Sequence, residues 1–235
     1  MIKNLFREAF QCKETQCTII ADKEQAIQTA IESIKHNRKE LEEYTKANPK
    51  FLYTLKPIPA PAEPLVAKLM AECAQKANVG PMAAVAGVLA DLTVKEMIHD
   101  GCEVAVVENG GEVSAVSNGT PIDVALAAGD APLSKRFGFR LTDFPVGLAT
   151  SSGRFSHALS FGDAEAATVF CKNAGLADAA ATAVGNVVKG NAQRSAIQRG
   201  MDKALSIPGV EGVLIIYRGH VGTAGKIPQI IKVDI

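Results

Sequence analysis

Within Leu176-Ala-Asp-Ala-Ala-Ala-Thr-Ala-Val-Gly-Asn186, the polar residues Asp178, Thr182 and Asn186 recur at every fourth position. That spacing puts them on one face of a predicted helix whose other residues are small or apolar. A carboxylate in a segment built for burial needs a donor, a counter-charge or a cation, because desolvated charge is costly without one. Two readings meet the pattern. In the first the stripe is a site. In the second Asp178 lies in a first helical turn, held by free amides and the dipole, while Thr182 bonds back to the turn before it.

Among the four histidines, His157 is the acid or base candidate, since imidazole titrates near neutrality and can take a proton from a hydroxyl. It alternates with Phe155, Leu159 and Phe161 on one side of a predicted strand, a pattern that equally suits a hydrogen-bonded core histidine. Three glycine- or hydroxyl-rich stretches could offer backbone N–H groups to a phosphate: the run through Gly80, the run Asn109-Gly110-Gly111, and the predicted loop Thr150-Ser151-Ser152-Gly153-Arg154. None is a P-loop or dinucleotide fingerprint, and each also reads as an ordinary turn. Arg154 and Lys226 lie among small residues where either could clamp a phosphate, exposed charge being the alternative.

The elements that must position these residues follow from periodicity. Phe6 to Ile20 reads as one or two strands bending near Lys13-Glu14-Thr15, and Lys23 to Ala47 as an amphipathic helix ending before Pro49. The proline-spaced stretch Lys56 to Pro64 is a stiff connector that would join an N-terminal layer, residues 1–56, to the main body. Helices are predicted over Pro64–Ala77 and Pro81–His99. The second carries Ala83, Ala84, Ala86, Gly87 and Ala90, small enough for its backbone to approach a sheet or ligand closely. Val104–Glu108 and Glu112–Val116 form a hairpin about the glycines. Further strands are expected at Pro121–Leu126, Phe137–Leu141, Val146–Ala149, Phe155–Phe161, Ala167–Cys171, Val210–Arg218 and Gln229–Val233, with helices near Leu176–Val188 and Ala192–Leu205 and a glycine-rich loop over His220–Lys226. Strands in runs and helices in pairs argue for a single α+β domain over residues 1–235.

Composition narrows the function classes. The 25 basic and 25 acidic side chains balance, so no long-range field draws in nucleic acid or anionic lipid. Cys12, Cys17, Cys73, Cys102 and Cys171 show no metal-type spacing and are expected as reduced, mostly buried thiols. The start, MIKNLFREAF, has no signal-peptide core, and the apolar stretch from Val79 to Ala90 is too short to span a bilayer. The expected setting is the cytoplasm, with a small phosphate-bearing molecule as partner and neither membrane nor nucleic acid.

Taken in order, Val79-Gly-Pro-Met-Ala-Ala-Val-Ala-Gly87, Glu108-Asn-Gly-Gly111, Thr150-Ser-Ser-Gly153 with Ser156-His157, and Leu176-Ala-Asp-Ala-Ala-Ala-Thr182 resemble the ApbE-like superfamily, which contains the FAD:protein FMN transferases. The chain is most similar to a cytoplasmic branch found in anaerobic prokaryotes, and that likeness extends to Lys13-Glu-Thr15. The resemblance implies helices packed against mainly antiparallel sheet. It also implies a divalent cation, Mg2+ or Ca2+, held by Asp178, Thr182 and the carbonyl of Ala177. A flavin site (FAD or FMN) would involve Gly110 and Gly111, with His157 as the transferases' histidine. The chain departs where those enzymes carry D-P-R-T-G, since Ala158-Leu-Ser-Phe-Gly162 follows His157 here. The expected function is binding of a flavin- or nucleotide-like ligand with metal; a transferase reaction is left open. The branch also has a link to reductive sulfur assimilation, which implies an alternative role as a non-catalytic accessory protein with a protein partner.

Overall fold

The computed structural model describes residues 5–126, 137–152 and 162–233. The chain opens with a hairpin, β1 (Phe6–Cys12) and β2 (Thr15–Ala21), turning at Lys13, whose φ is +54°. Four helices follow: α1 (Gln25–Ala47), the short α2 (Pro49–Tyr53), α3 (Leu65–Ala77) and α4 (Val85–His99). A second hairpin, β3 (Val104–Asn109) and β4 (Glu112–Ser117), leads into β5 (Ile122–Ala125), β6 (Phe137–Leu141), β7 (Val146–Ser151) and β8 (Ala166–Cys171). Helices α5 (Ala174–Val187) and α6 (Gln193–Leu205) precede β9 (Val210–Tyr217), β10 (His220–Gly225) and β11 (Gln229–Lys232).

Eight strands form one antiparallel sheet in the order β1-β2-β3-β4-β7-β8-β9-β10, and β11-β6-β5 form a second, smaller one. Strand alternation explains how the large sheet is covered on both faces. On β8, Ala167, Val169 and Cys171 enter the core under the helices, while Ala166 and Phe170 face the small sheet, where Phe170 meets Phe139 edge-on at 4.9 Å. On β3, Ala105 and Val107 pack beneath α1 and α4, while Val104 and Val106 join the small-sheet side. The N-terminal hairpin belongs to the same large sheet through the β2–β3 ladder, and the connector packs Ile58 and Ala60 against the core.

Several sequence expectations are corrected. Pro81–His99 is a 3-10 turn, Pro81–Ala84, followed by a separate α4, because Ala84 leaves helical geometry (φ −124°, ψ 8°). Gly87 adds a second helix to the close approaches expected of this segment: Ala90 packs on the sheet with Ala105 and Val107, while a Cβ at Gly87 would stand 2.2 Å from the carbonyl oxygen of Ala174. Thr150 and Ser151 close β7 and are not loop residues. His220–Gly225 is a strand, and its Gly222 makes room for Ile197 of α6, whose Cγ2 lies 2.2 Å from where a Cβ would be. The expected strand over Phe155–Phe161 lies outside the described residues, and α2 had no expectation.

Candidate functional site

One cleft of about 570 Å3 brings much of the chemistry together. Helix α5 contributes Asp178, Thr182 and Asn186, so the every-fourth-residue stripe faces a single hollow. Asn109, Gly110 and Glu112 come from the β3–β4 hairpin, and Thr150 and Ser151 from the end of β7. Gly80, Met82 and Ala83 come from the stretch before α4, whose first turns add Val85, Ala86 and Leu89. The outer lip is Leu52, Tyr53, Thr54 and Leu55, with Tyr53 76% exposed. Glu14 and Thr15 of the first hairpin and Arg38 of α1 complete the wall.

Backbone geometry holds these pieces at close quarters. Asn173 caps α5 by accepting from Leu176 N–H at 2.9 Å. Asp91 of α4 then takes the next free amides, those of Ala174 and Gly175, at 2.9 and 2.8 Å, and accepts from the Ser114 hydroxyl at 2.7 Å. Asp178 does the reciprocal service for α4, accepting from Gly87 N–H at 3.0 Å. It is therefore held by helix amides, as the second sequence reading had it, but those of α4 and not of its own first turn. Asn109 fixes the same helix start by donating to the Ala86 carbonyl at 3.0 Å. Gly80 is required by crowding, since a Cβ would lie 1.9 Å from the Thr54 carbonyl oxygen and push the lip away.

Electrostatically the floor is acidic. Burial pushes Asp178 up to about 7, with Asp91 adding to the rise and the Gly87 and Ala86 amides opposing it. Glu112 is raised well above the carboxylate range by burial first, then by the charges of Asp178 and Glu108. Sequence reasoning missed Glu112, although its place opposite Asn109 across a two-residue turn was a usable signal. It also missed Arg38, which donates to the Thr15 hydroxyl and to Glu14 at 2.6 Å.

The remaining candidates separate. Gly111 sits in the hairpin turn at φ +114°, its N–H bonded to Glu108 at 2.8 Å, and is not among the cleft-lining residues. Ser152 is buried beside the cleft without lining it, and the Ala177 side chain packs in the core. Gly153, Arg154 and His157 lie outside the described residues. Lys226 is an exposed charge paired with Asp143 at 2.6 Å and is not among the cleft-lining residues, in line with the exposed-charge alternative. The cysteines are free thiols, with Cys17, Cys102 and Cys171 buried. Among the described residues no cluster of three or more His, Cys, Asp or Glu side chains forms a metal site, and no single helix is long and apolar enough to cross a membrane.

A family profile described as AbpE bacteria matches residues 3–216. The chain belongs to the ApbE-like superfamily. Relatives of this ApbE-like chain include a UPF0280 protein of Methanococcus maripaludis strain C5, 40% identical over 97% of this chain and 94% of that protein. A UPF0280 protein of Methanocaldococcus jannaschii is 36% identical over the same shares. Among solved structures, the apo flavinyl transferase ApbE of Pseudomonas stutzeri superposes with a TM-score of 0.59 at 15% identity, covering 94% of each chain. The ApbE protein of Thermotoga maritima gives 0.57 at 12% identity, covering 98% of this chain and 97% of that one. At those identities the likeness establishes the fold: helices on a mostly antiparallel sheet.

Proposed function

We propose that this cleft binds a phosphate-bearing ligand of flavin or nucleotide type together with a divalent cation. The observation that carries the reading is convergence. Asp178, Thr182 and Asn186 of α5 share one hollow with the Asn109-Gly110 turn and with an apolar wall of Leu52, Tyr53, Leu55, Val79, Met82 and Leu89. Such a hollow pairs an apolar wall for a ring with convergent polar groups for its charged tail. Its structural neighbours include flavin transferases, which supports the choice of ligand class.

The cation fits the donors present. Asp178 and Glu112 are two partly buried carboxylates close enough for the charge on one to disfavour the charge on the other. A hard divalent ion suits oxygen donors and relieves that repulsion. Asp178, with the Thr182 hydroxyl one turn on and Glu112 opposite, would hold it, and when bound it would supply positive charge against the ligand's phosphates. The chain's own residues do the positioning. Gly87 N–H orients the Asp178 carboxylate, Asn109 anchors the start of α4, and Tyr53 stands exposed at the lip.

Equilibrium titration with FAD, FMN and ADP, with and without MgCl2, tests the reading. Saturable binding that Mg2+ strengthens and Asp178→Asn weakens is expected. Absence of binding by all three in the presence of Mg2+ would overturn it.

A further inference from the structure

Four charged side chains line the cleft among the described residues: the acids Glu14, Glu112 and Asp178, and the single cation Arg38. Arg38 projects from the middle of α1, where its side chain is only 14% exposed. One terminal nitrogen, Nη1, donates to the Thr15 hydroxyl. The other, Nη2, donates to Glu14 at 2.6 Å and lies 3.5 Å from Glu42. Its Nε is sealed from solvent, with no hydrogen-bond partner among the described residues. A buried guanidinium donor left unpaired is costly and calls for a partner that arrives from elsewhere.

The two acids around Arg38 differ. Glu42 has a partner of its own in Lys13 at 2.5 Å and stays occupied if Arg38 turns to another anion. Glu14 is 85% exposed and holds Arg38 through a pair open to water. Exposed pairs of that kind are weak, because water and salt screen them. A phosphate or carboxylate gripped by two parallel guanidinium N–H groups is stronger, because Nε and the neighbouring Nη2 hydrogen form a fork matched to two oxygens. The cluster also abuts the glycine turn: Gly110 N–H donates to the carbonyl of Gln16, one residue past Thr15, at 3.1 Å.

Resting on the ligand reading above, we propose that Arg38 is the anion-recognition residue of the cleft and that Glu14 is a placeholder, displaced when a ligand oxyanion turns the guanidinium toward itself and takes Nη2 together with the Nε that is sealed in the resting arrangement. The phosphate end of the ligand is thereby set toward the first hairpin, and its ring toward the Tyr53 lip. The ligand class is one that joins a phosphate to a planar ring system.

FMN and riboflavin differ by that phosphate alone, so fluorescence titration of the full chain with each, in MgCl2, is the test. The wild type is expected to prefer FMN. Arg38→Gln removes the preference by lowering FMN affinity about tenfold or more, while riboflavin binding shifts less than about threefold. Arg38→Lys restores part of it. Glu14→Gln, an exposed change that leaves the fold alone, raises FMN affinity severalfold because the competing carboxylate is gone. Equal binding of both flavins by the wild type, a preference that survives Arg38→Gln, or no gain in Glu14→Gln overturns the assignment and leaves the ligand reading intact. Failure of the wild type to bind FMN also overturns the assignment, and the ligand reading falls with it only if FAD and ADP fail to bind as well.

Discussion

The carboxylate of Asp178, in the second turn of α5, accepts the backbone N–H of Gly87, in the first turn of α4, at 3.0 Å. A side chain that caps a foreign helix and also faces a cleft has two duties, and they separate by pH. Its folded-state value is raised to about 7 from 3.8, chiefly by burial. A raised acid contributes stability that is fully present below the unfolded value and lost as pH climbs through the folded one. Unfolding free energy of the wild type should therefore fall between about pH 4 and pH 7, with Glu112 acting in the same direction. Asp178→Asn keeps an oxygen acceptor for Gly87 and carries no charge. It should flatten the curve and gain about 2 kcal/mol at pH 8, after allowance for solvent at the cleft mouth, with no gain at pH 4. Urea titrations across that range check this; parallel curves for the two proteins would count against it.

Gly87→Ala should be severe. The new methyl carbon would meet the Ala174 carbonyl oxygen at 2.2 Å and its carbon at 2.5 Å, both backbone atoms that cannot step aside without parting α4 from α5. A loss of about 2–3 kcal/mol is expected, and the Asp178 hydrogen bond would lengthen with it. An unchanged melting temperature would show that the helices are not in contact there.

Asp91 supplies acceptors to three donors at once: the amides of Ala174 and Gly175 and the Ser114 hydroxyl. Asp91→Ala leaves all three without a partner in a partly buried place, at a cost of about 3 kcal/mol. Asp91→Asn should fall between alanine and wild type because its single carbonyl serves only part of the set. Chemical denaturation ranks the three proteins, and equal stability of Asp91→Ala and wild type would contradict the capping role.

Tyr53 is the converse case. At 76% exposed it holds little of the fold together, so Tyr53→Ala should leave unfolding within about 0.5 kcal/mol of wild type. If its ring is the stacking face of the lip, FMN affinity drops about three- to tenfold. Inorganic phosphate binding does not. A variant that keeps full FMN affinity would place the ring elsewhere.

Much of this was legible in the sequence, for reasons that also mark its limits. The α5 stripe was readable because helical period and composition agreed: every fourth residue polar, the rest small. The β3–β4 hairpin was readable because two successive glycines at φ +69° and +114° are what the turn requires. The β10 glycines misled in the opposite way. Gly222 serves the approach of Ile197 on α6, a demand of tertiary packing that reads locally as a loop. Arg38 was hidden among the charges of α1, yet it extends the row Ala26, Ala30, Ile34, all buried, by one further step of four. A cation on the core-facing side of an amphipathic helix was the available signal. What the sequence could not supply was the partner across space: that Asp178 caps α4, or that Glu112 faces Asp178, depends on how two helices and a hairpin meet.

The most direct test of the account is a crystal structure of the full chain grown with FAD and MnCl2, collected at a wavelength where manganese scatters anomalously. The account expects one anomalous peak at the Asp178 carboxylate within reach of the Thr182 hydroxyl, with ligand phosphate density running from it toward Arg38 and the ring against Tyr53. A flavin bound at another surface, or no peak at Asp178 under saturating Mn2+ and FAD, would contradict it.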